Sequence, residues 1–131
     1  MSPPGTIGCM PAIAKLTLFA LDCAEPQRLA EFYSAITGWP VDRDSGDWVE
    51  LRSDGGATLA FQLAPDHRPP DWPNADRPQQ GHVDFDVDDL DAGEAAVIAV
   101  GARKAEVQPQ PESFRVFLDP AGHPFCLVLA D

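Results

Sequence analysis

The sequence predicts an α+β fold made of two consecutive β-α-β-β-β units, and three observations predict it. A helical stretch with apolar residues on one face follows a first strand-like run and precedes three more. The same order recurs after a proline-rich segment. Landmarks repeat at similar distances: Gly38 and Gly101 each follow a helix 63 residues apart, and Lys15 and His82, near the starts of equivalent strands, lie 67 apart. One such unit buries too little surface to stand alone, so the halves are expected to pack as a single domain over 12–129.

Each element has its own warrant. After a tail over 1–11 that carries three prolines and is expected to be flexible, Ala12 to Leu21 reads as a strand. Leu16 and Leu18 take one face, and Lys15, Thr17 and Phe19 the other. Pro26 suits a first helical turn, and Leu29, Phe32, Tyr33 and Ile36 recur at helical spacing up to Gly38, which is free to adopt the left-handed conformation. Trp39 to Asp42, Asp47 to Arg52 and Thr58 to Leu63 read as short strands, with turns at Asp44-Ser45-Gly46 and Asp54-Gly55-Gly56. Five prolines between Ala64 and Gln80 make that stretch an extended linker, since proline cannot donate to a ladder. Unit two then runs as strand Gly81 to Val87, helix Asp89 to Val100, and strands near Arg103 to Val107, Ser113 to Leu118 and Phe125 to Leu129.

Composition narrows the function. A 44% apolar share with 23% charged residues is that of a globular chain. Nine Lys and Arg against 21 Asp and Glu give a formal charge of -12, which repels phosphate backbones and anionic bilayers, so neither nucleic acid nor membrane is an expected partner. No apolar run is long enough to span a bilayer, and a cytoplasmic protein is expected. Three cysteines without CxxC spacing point to reduced thiols.

Leu21-Asp22-Cys23, Ala30-Glu31-Phe32-Tyr33, Gly38-Trp39, Arg68-Pro69-Pro70, Trp72-Pro73, Pro78-Gln79-Gln80 with His82, Asp84-Phe85-Asp86-Val87 and Phe117-Leu118-Asp119-Pro120-Ala121-Gly122-His123-Pro124-Phe125-Cys126 carry a resemblance. The chain resembles the vicinal oxygen chelate superfamily, which includes glyoxalases, extradiol dioxygenases and bleomycin-resistance proteins, and within it a glyoxalase-like branch common in actinobacteria. The resemblance implies the glyoxalase/bleomycin-resistance fold: two βαβββ units paired into a curled mixed sheet cup, helices outside and ligand inside. Period two then sorts the strands. Val83, Phe85 and Val87 face a helix, leaving His82, Asp84 and Asp86 on the cup face. Lys15 and Phe19, then Trp48, Glu50, Arg52 and Gln62, and finally Arg115, Phe117 and Cys126 complete the expected ligand-binding lining, with His82 and Asp84 as the candidate catalytic pair.

In metal-dependent members, the resemblance places ligands on the first and last strands of each unit, positions held here by Lys15, Gln62, His82 and Cys126. A protonated Lys has no lone pair to give and Gln62 is a weak neutral donor, so no metal cofactor is expected. The alternative is one divalent ion, such as zinc, on Gln62, His82 and Cys126. His82 reads equally well as a pocket histidine paired to Asp84 or Glu50, Asp84 and Asp86 as a solvated rim, and Cys126 as a small buried apolar residue.

Three functions fit. The first is a metal-independent binder or enzyme holding a small polar organic molecule, with Lys15 and Arg115 on its anionic group and Trp48, Phe19 and Phe117 as walls. The second is a metal-dependent lyase or dioxygenase. The third is a drug-sequestering resistance protein, a type that is normally dimeric. Trp72 in the linker offers a large apolar face, so Pro69 to Pro78 is expected to pack over the cup mouth or against a second chain in a homodimer.

Overall fold

The computed structural model describes residues 12–130, so the tail expected over 1–11 lies outside the described residues. The elements run β1 (Phe19–Cys23), α1 (Pro26–Thr37), β2 (Val41–Asp44), β3 (Trp48–Arg52), β4 (Thr58–Leu63), β5 (Val83–Val87), α2 (Leu90–Ala99), β6 (Arg103–Lys104), β7 (Phe114–Leu118) and β8 (Pro124–Leu129). This is the α+β order of two β-α-β-β-β units. The proline at the first turn of α1 sacrifices no helical hydrogen bond. Gly38 ends that helix at φ 75°, returning its N–H to Ser34 O at 2.8 Å. α2 starts on Asp89, whose carboxylate accepts the Ala92 N–H at 3.0 Å.

Each unit makes one four-stranded sheet, ordered β1-β4-β3-β2 and β5-β8-β7-β6. β1 lies parallel to β4 and β5 parallel to β8, while the remaining pairs are antiparallel. The starts of β1 and β5, Phe19 and Val83, lie 64 residues apart, as do those of α1 and α2, Pro26 and Leu90. That offset sets His82 against Leu18 and corrects the expected match of His82 with Lys15.

The first strand is also corrected. It was expected over Ala12 to Leu21 but pairs only from Phe19, because β4 offers partners from Leu59 to Leu63. Lys15 therefore precedes the strand and is exposed. Phe19 shares the face of Leu21 and Cys23, which is the helix side and not the cup side. The run Leu16-Thr17-Leu18-Phe19-Ala20-Leu21 has apolar residues in both phases, so alternation alone could not choose the face.

One apolar core serves both units. Tyr33 of α1 is fully buried, stacked on Phe61 of β4 with centroids 5.5 Å apart, and its ring also meets Phe85 of β5 and Phe125 of β8 at 6.2 Å. Such aromatic pairs add about 0.5–1.5 kcal/mol each beyond the area they bury. The Tyr33 hydroxyl donates to Asp119 Oδ2 at 2.6 Å, a buried bond across the two units. Asp119 Oδ1 in turn accepts the N–H groups of Ala121 and His123 at 2.8 and 3.0 Å, closing the turn that launches β8. Burial pushes the Asp119 carboxyl above its ordinary range, against the opposing pull of Tyr33 and His123. Burial and the neighbouring carboxyl push Tyr33 up as well, so the phenol keeps the proton it donates.

The linker is clamped to this turn. His67 Nε2 meets Ala121 O at 3.0 Å, and Pro69 packs on Gly122, whose φ of 89° excludes most side chains.

Two stability predictions follow from this node. Tyr33→Phe removes one donor and leaves a buried carboxylate oxygen without it, so urea unfolding should show a loss of about 1–3 kcal/mol. Gly122→Ala both strains a left-handed residue and drives a methyl into Pro69; about 1–3 kcal/mol should be lost, and His67→Ala should not reproduce that loss in full.

Candidate functional site

The strand registers decide which side chains share a face. In the second sheet Asp84 stands beside Cys126 and Asp86 beside Val128, while Val116 and Phe114 of β7 stand beside Cys126 and Val128. All six point away from the α2 side. Val83, Phe85 and Val87 point the other way, as the alternation predicted, with Phe85 and Val87 packed on the core.

This face carries a pocket of ≈ 380 Å³. Its floor is Val116, Cys126, Val128 and Phe114, and its polar end is formed by His82 and Asp84. Trp72 from the linker closes it, packed against Val116 and Cys126, so of the Pro69 to Pro78 segment expected over the cup mouth it is Trp72 that covers this half-cup, while Pro70, Arg77 and Pro78 line another cavity. Gln79, also from the linker, completes the wall, and its Oε1 is shut off from solvent with no hydrogen-bond donor on it among the described residues. His82 Nε2 lies 3.1 Å from Asp84 Oδ1, so the imidazole pairs with Asp84 rather than with Glu50.

Trp48, Glu50, Arg52 and Gln62 do share one face, but it belongs to the first sheet, and none of them walls this pocket. There three of them are paired: Trp48 Nε1 donates to Glu50 Oε2 at 2.7 Å, Arg43 lies 3.8 Å from Glu50, and Arg52 pairs with Asp42 at 3.2 Å. Asp86 is exposed and stands outside the pocket.

Two expected lining residues stand on the wrong face. Arg115 points to the helix side, where its guanidinium bonds Asp91 at 2.9 Å and Glu94 at 3.1 Å on α2. Phe117 is fully buried in the core, stacked on Phe125 at 5.6 Å. In the strand Phe114-Arg115-Val116-Phe117-Leu118 one phase is wholly apolar and the other holds Arg115 with Phe117, and the rule that a charge belongs in the cup put the second phase on the wrong side. Two acids three residues apart on α2, able to pair with Arg115, were the signal that pointed the other way. Phe114 and Val116, which the charge argument passed over, take the vacated floor.

Among the described residues, the pocket therefore has acceptors and no Lys or Arg. With Lys15, Arg115 and Phe19 elsewhere, the anion-binding role expected for the first two has no place in it. His82, Asp84 and Cys126 bring a nitrogen, an oxygen and a sulfur within 4.8 Å of one another. Those are donor types that zinc accepts, and the set differs from the expected one by Asp84 in place of Gln62. Ligation would require Cys126 to lose its proton. Burial first, then Asp84, push that thiol up to about 11.

The sequence profile of the glyoxalase-like domain matches residues 18–128. The chain belongs to that family. Solved structures agree on the fold. A glyoxalase/bleomycin resistance protein/dioxygenase family enzyme from Burkholderia phytofirmans superposes with a TM-score of 0.65 at 17% identity, covering 88% of this chain and 98% of its own. A glyoxalase family protein from Enterococcus faecalis gives 0.64 at 20%, with the same coverages. A protein of Agrobacterium tumefaciens solved by NMR gives 0.68 at 18%, covering 91% and 99%. A comparison with curated protein sequences returns no match. Among the described residues of this glyoxalase-like chain, no helix is long and apolar enough to cross a membrane.

The thiols carry a pH prediction. Cys126 and Cys23 are both raised, from 9.0 to about 11, with burial the leading cause. A raised folded value means their contribution to stability is whole below pH 9 and is lost as pH rises towards 11. The urea midpoint should fall across that window. Asp84→Asn, which removes the charge beside Cys126, should speed iodoacetamide alkylation of Cys126 at pH 8 severalfold; an unchanged or slower rate would contradict the assignment.

Proposed function

We propose that this glyoxalase-like chain binds a small polar organic molecule in the pocket of the second sheet, one with an apolar body and a hydrogen-bond-donating or cationic head, and that it does so without a metal. The observation that carries this reading is the pairing of apolar walls with a carboxylate and one acceptor that has no donor among the described residues. Trp72, Phe114, Val116 and Val128 suit a ring or alkyl body, while Asp84 and the undonated Gln79 Oε1 call for donors at the head. The acidic balance of the whole chain attracts a cation to that end. Where the ligand is turned over, His82, oriented by Asp84, is the group held to take a proton from the head. A cytoplasmic homodimer of the actinobacterial-type branch is the proposed setting, supported by the resemblance to dimeric resistance proteins.

The Asp84, His82 and Cys126 donor set favours a second reading, in which a divalent ion such as zinc sits on those three side chains. Equilibrium dialysis against zinc separates the two: one ion per chain, lost in Cys126→Ala, would replace the metal-free reading.

The test of the first reading uses benzylammonium, a phenyl ring with an ammonium head, in isothermal titration of chelator-treated protein. Saturable binding is expected, weakened at least tenfold in Asp84→Asn and severalfold in Trp72→Ala. Wild-type affinity in both variants would move the site elsewhere.

A further inference from the structure

A second cavity, ≈ 520 Å³, lies on the other side of the linker, between the edge of β1 and the turn before β8. Its charge is the reverse of the chain's. Most of the lining polar groups are basic: Arg68, Arg77, His67 and His123, with Asp22 as the one carboxylate among them. Of the chain's nine Lys and Arg, five make no salt bridge among the described residues: Lys15, Arg28, Arg68, Arg77 and Arg103. Arg43, Arg52, Lys104 and Arg115 all sit in salt bridges. Among the described residues, neither Arg68 nor Arg77 does, yet the two share this cavity.

Three of these basic groups are also held in place. Arg77 Nε donates to Pro69 O at 3.1 Å, which orients the guanidinium and leaves its two terminal nitrogens for a ligand. His67 Nε2 meets Ala121 O at 3.0 Å and His123 Nε2 meets Asp22 O at 2.6 Å. A carbonyl only accepts, so both Nε2 atoms carry the hydrogen, and the rings stand 5.1 Å apart as fixed walls. Phe19 and Pro70 add apolar surface, which explains a phenylalanine left half exposed at a strand edge.

We infer that this cavity binds an organic oxyanion, a carboxylate or phosphate ester, with its charge between Arg68 and Arg77 and its carbon skeleton against Phe19 and Pro70. Guanidinium recognises planar or tetrahedral oxyanions through paired N–H donors, and two of them outweigh the carboxylate of Asp22. The site is separate from the acceptor pocket beneath Trp72 and stands or falls independently of it.

Benzoate and phenyl phosphate serve as probes, titrated into the full chain at constant ionic strength. Saturable binding of at least one is expected, at least tenfold weaker in Arg68→Gln and in Arg77→Gln. Arg43→Gln, which removes a guanidinium outside the cavity, should bind as wild type, and Arg68→Gln should keep its affinity for benzylammonium. Absence of saturable binding, wild-type affinity in both cavity variants, or an equal loss in Arg43→Gln would each overturn the inference. Should Arg77→Gln fail to fold by circular dichroism, Arg68→Gln decides alone, since that side chain makes no hydrogen bond among the described residues.

Discussion

The bond between Tyr33 and Asp119 is the constraint on which the other parts of the molecule lean. A buried carboxyl is tolerable only if its oxygens are satisfied, and here one oxygen takes the phenol of the first unit while the other takes two amides of its own turn. The same residue thus joins the units and shapes the turn that fixes where β8 begins. β8 then sets the register of β5 and β7, and with it which side chains reach the pocket floor. The aromatic cluster around Tyr33 adds area but no register. The hydrogen bonds supply that.

The linker depends on the turn in its own way. Held at Pro69 by Gly122 and at His67 by Ala121, it is not the extended stretch expected but turns back on itself, Asp71 N–H donating to Arg77 O, and its final residues divide between two cavities. Pro78 and Gln80 line the basic one, Gln79 and His82 the acceptor-rich one. A segment that looked in sequence like a spacer is therefore a shared wall, with opposite electrostatic character on its two sides. Proline serves this well, because a residue without an N–H leaves no donor to bury where no ladder partner exists.

Where the sequence reading succeeded, one physical signal stood alone. α1 was legible because Pro26, the apolar spacing of Leu29, Phe32, Tyr33 and Ile36, and Gly38 agree with one another. β5 was legible because Val83, Phe85 and Val87 alternate with charges, so only one phase buries no carboxylate, and His82 and Asp84 fell on the pocket side as that logic required. β1 and β7 were not legible to the same depth. The run Leu16 to Leu21 that leads into β1 and the strand β7 both carry large apolar residues in each phase, Phe117 beside Arg115 in β7, and a strand with two possible buried faces takes the one its ladder partner imposes. Phe19, Arg115 and Phe117 were misplaced for that reason, and Lys15 because the strand begins only at Phe19.

By itself the sequence determined the duplicated β-α-β-β-β order, the helices and the charged face of β5, because each follows from local periodicity or from what proline and glycine allow. Tertiary structure decided the rest. Whether Arg115 meets a ligand or the acids of α2, whether Gln62 joins Cys126 or stays on another sheet, and whether Trp72 covers a pocket are questions of which surfaces meet. Those depend on register across distant strands and on one buried hydrogen bond between residues 86 apart in sequence. No local pattern encodes such a contact, because its energy exists only after the two units have come together.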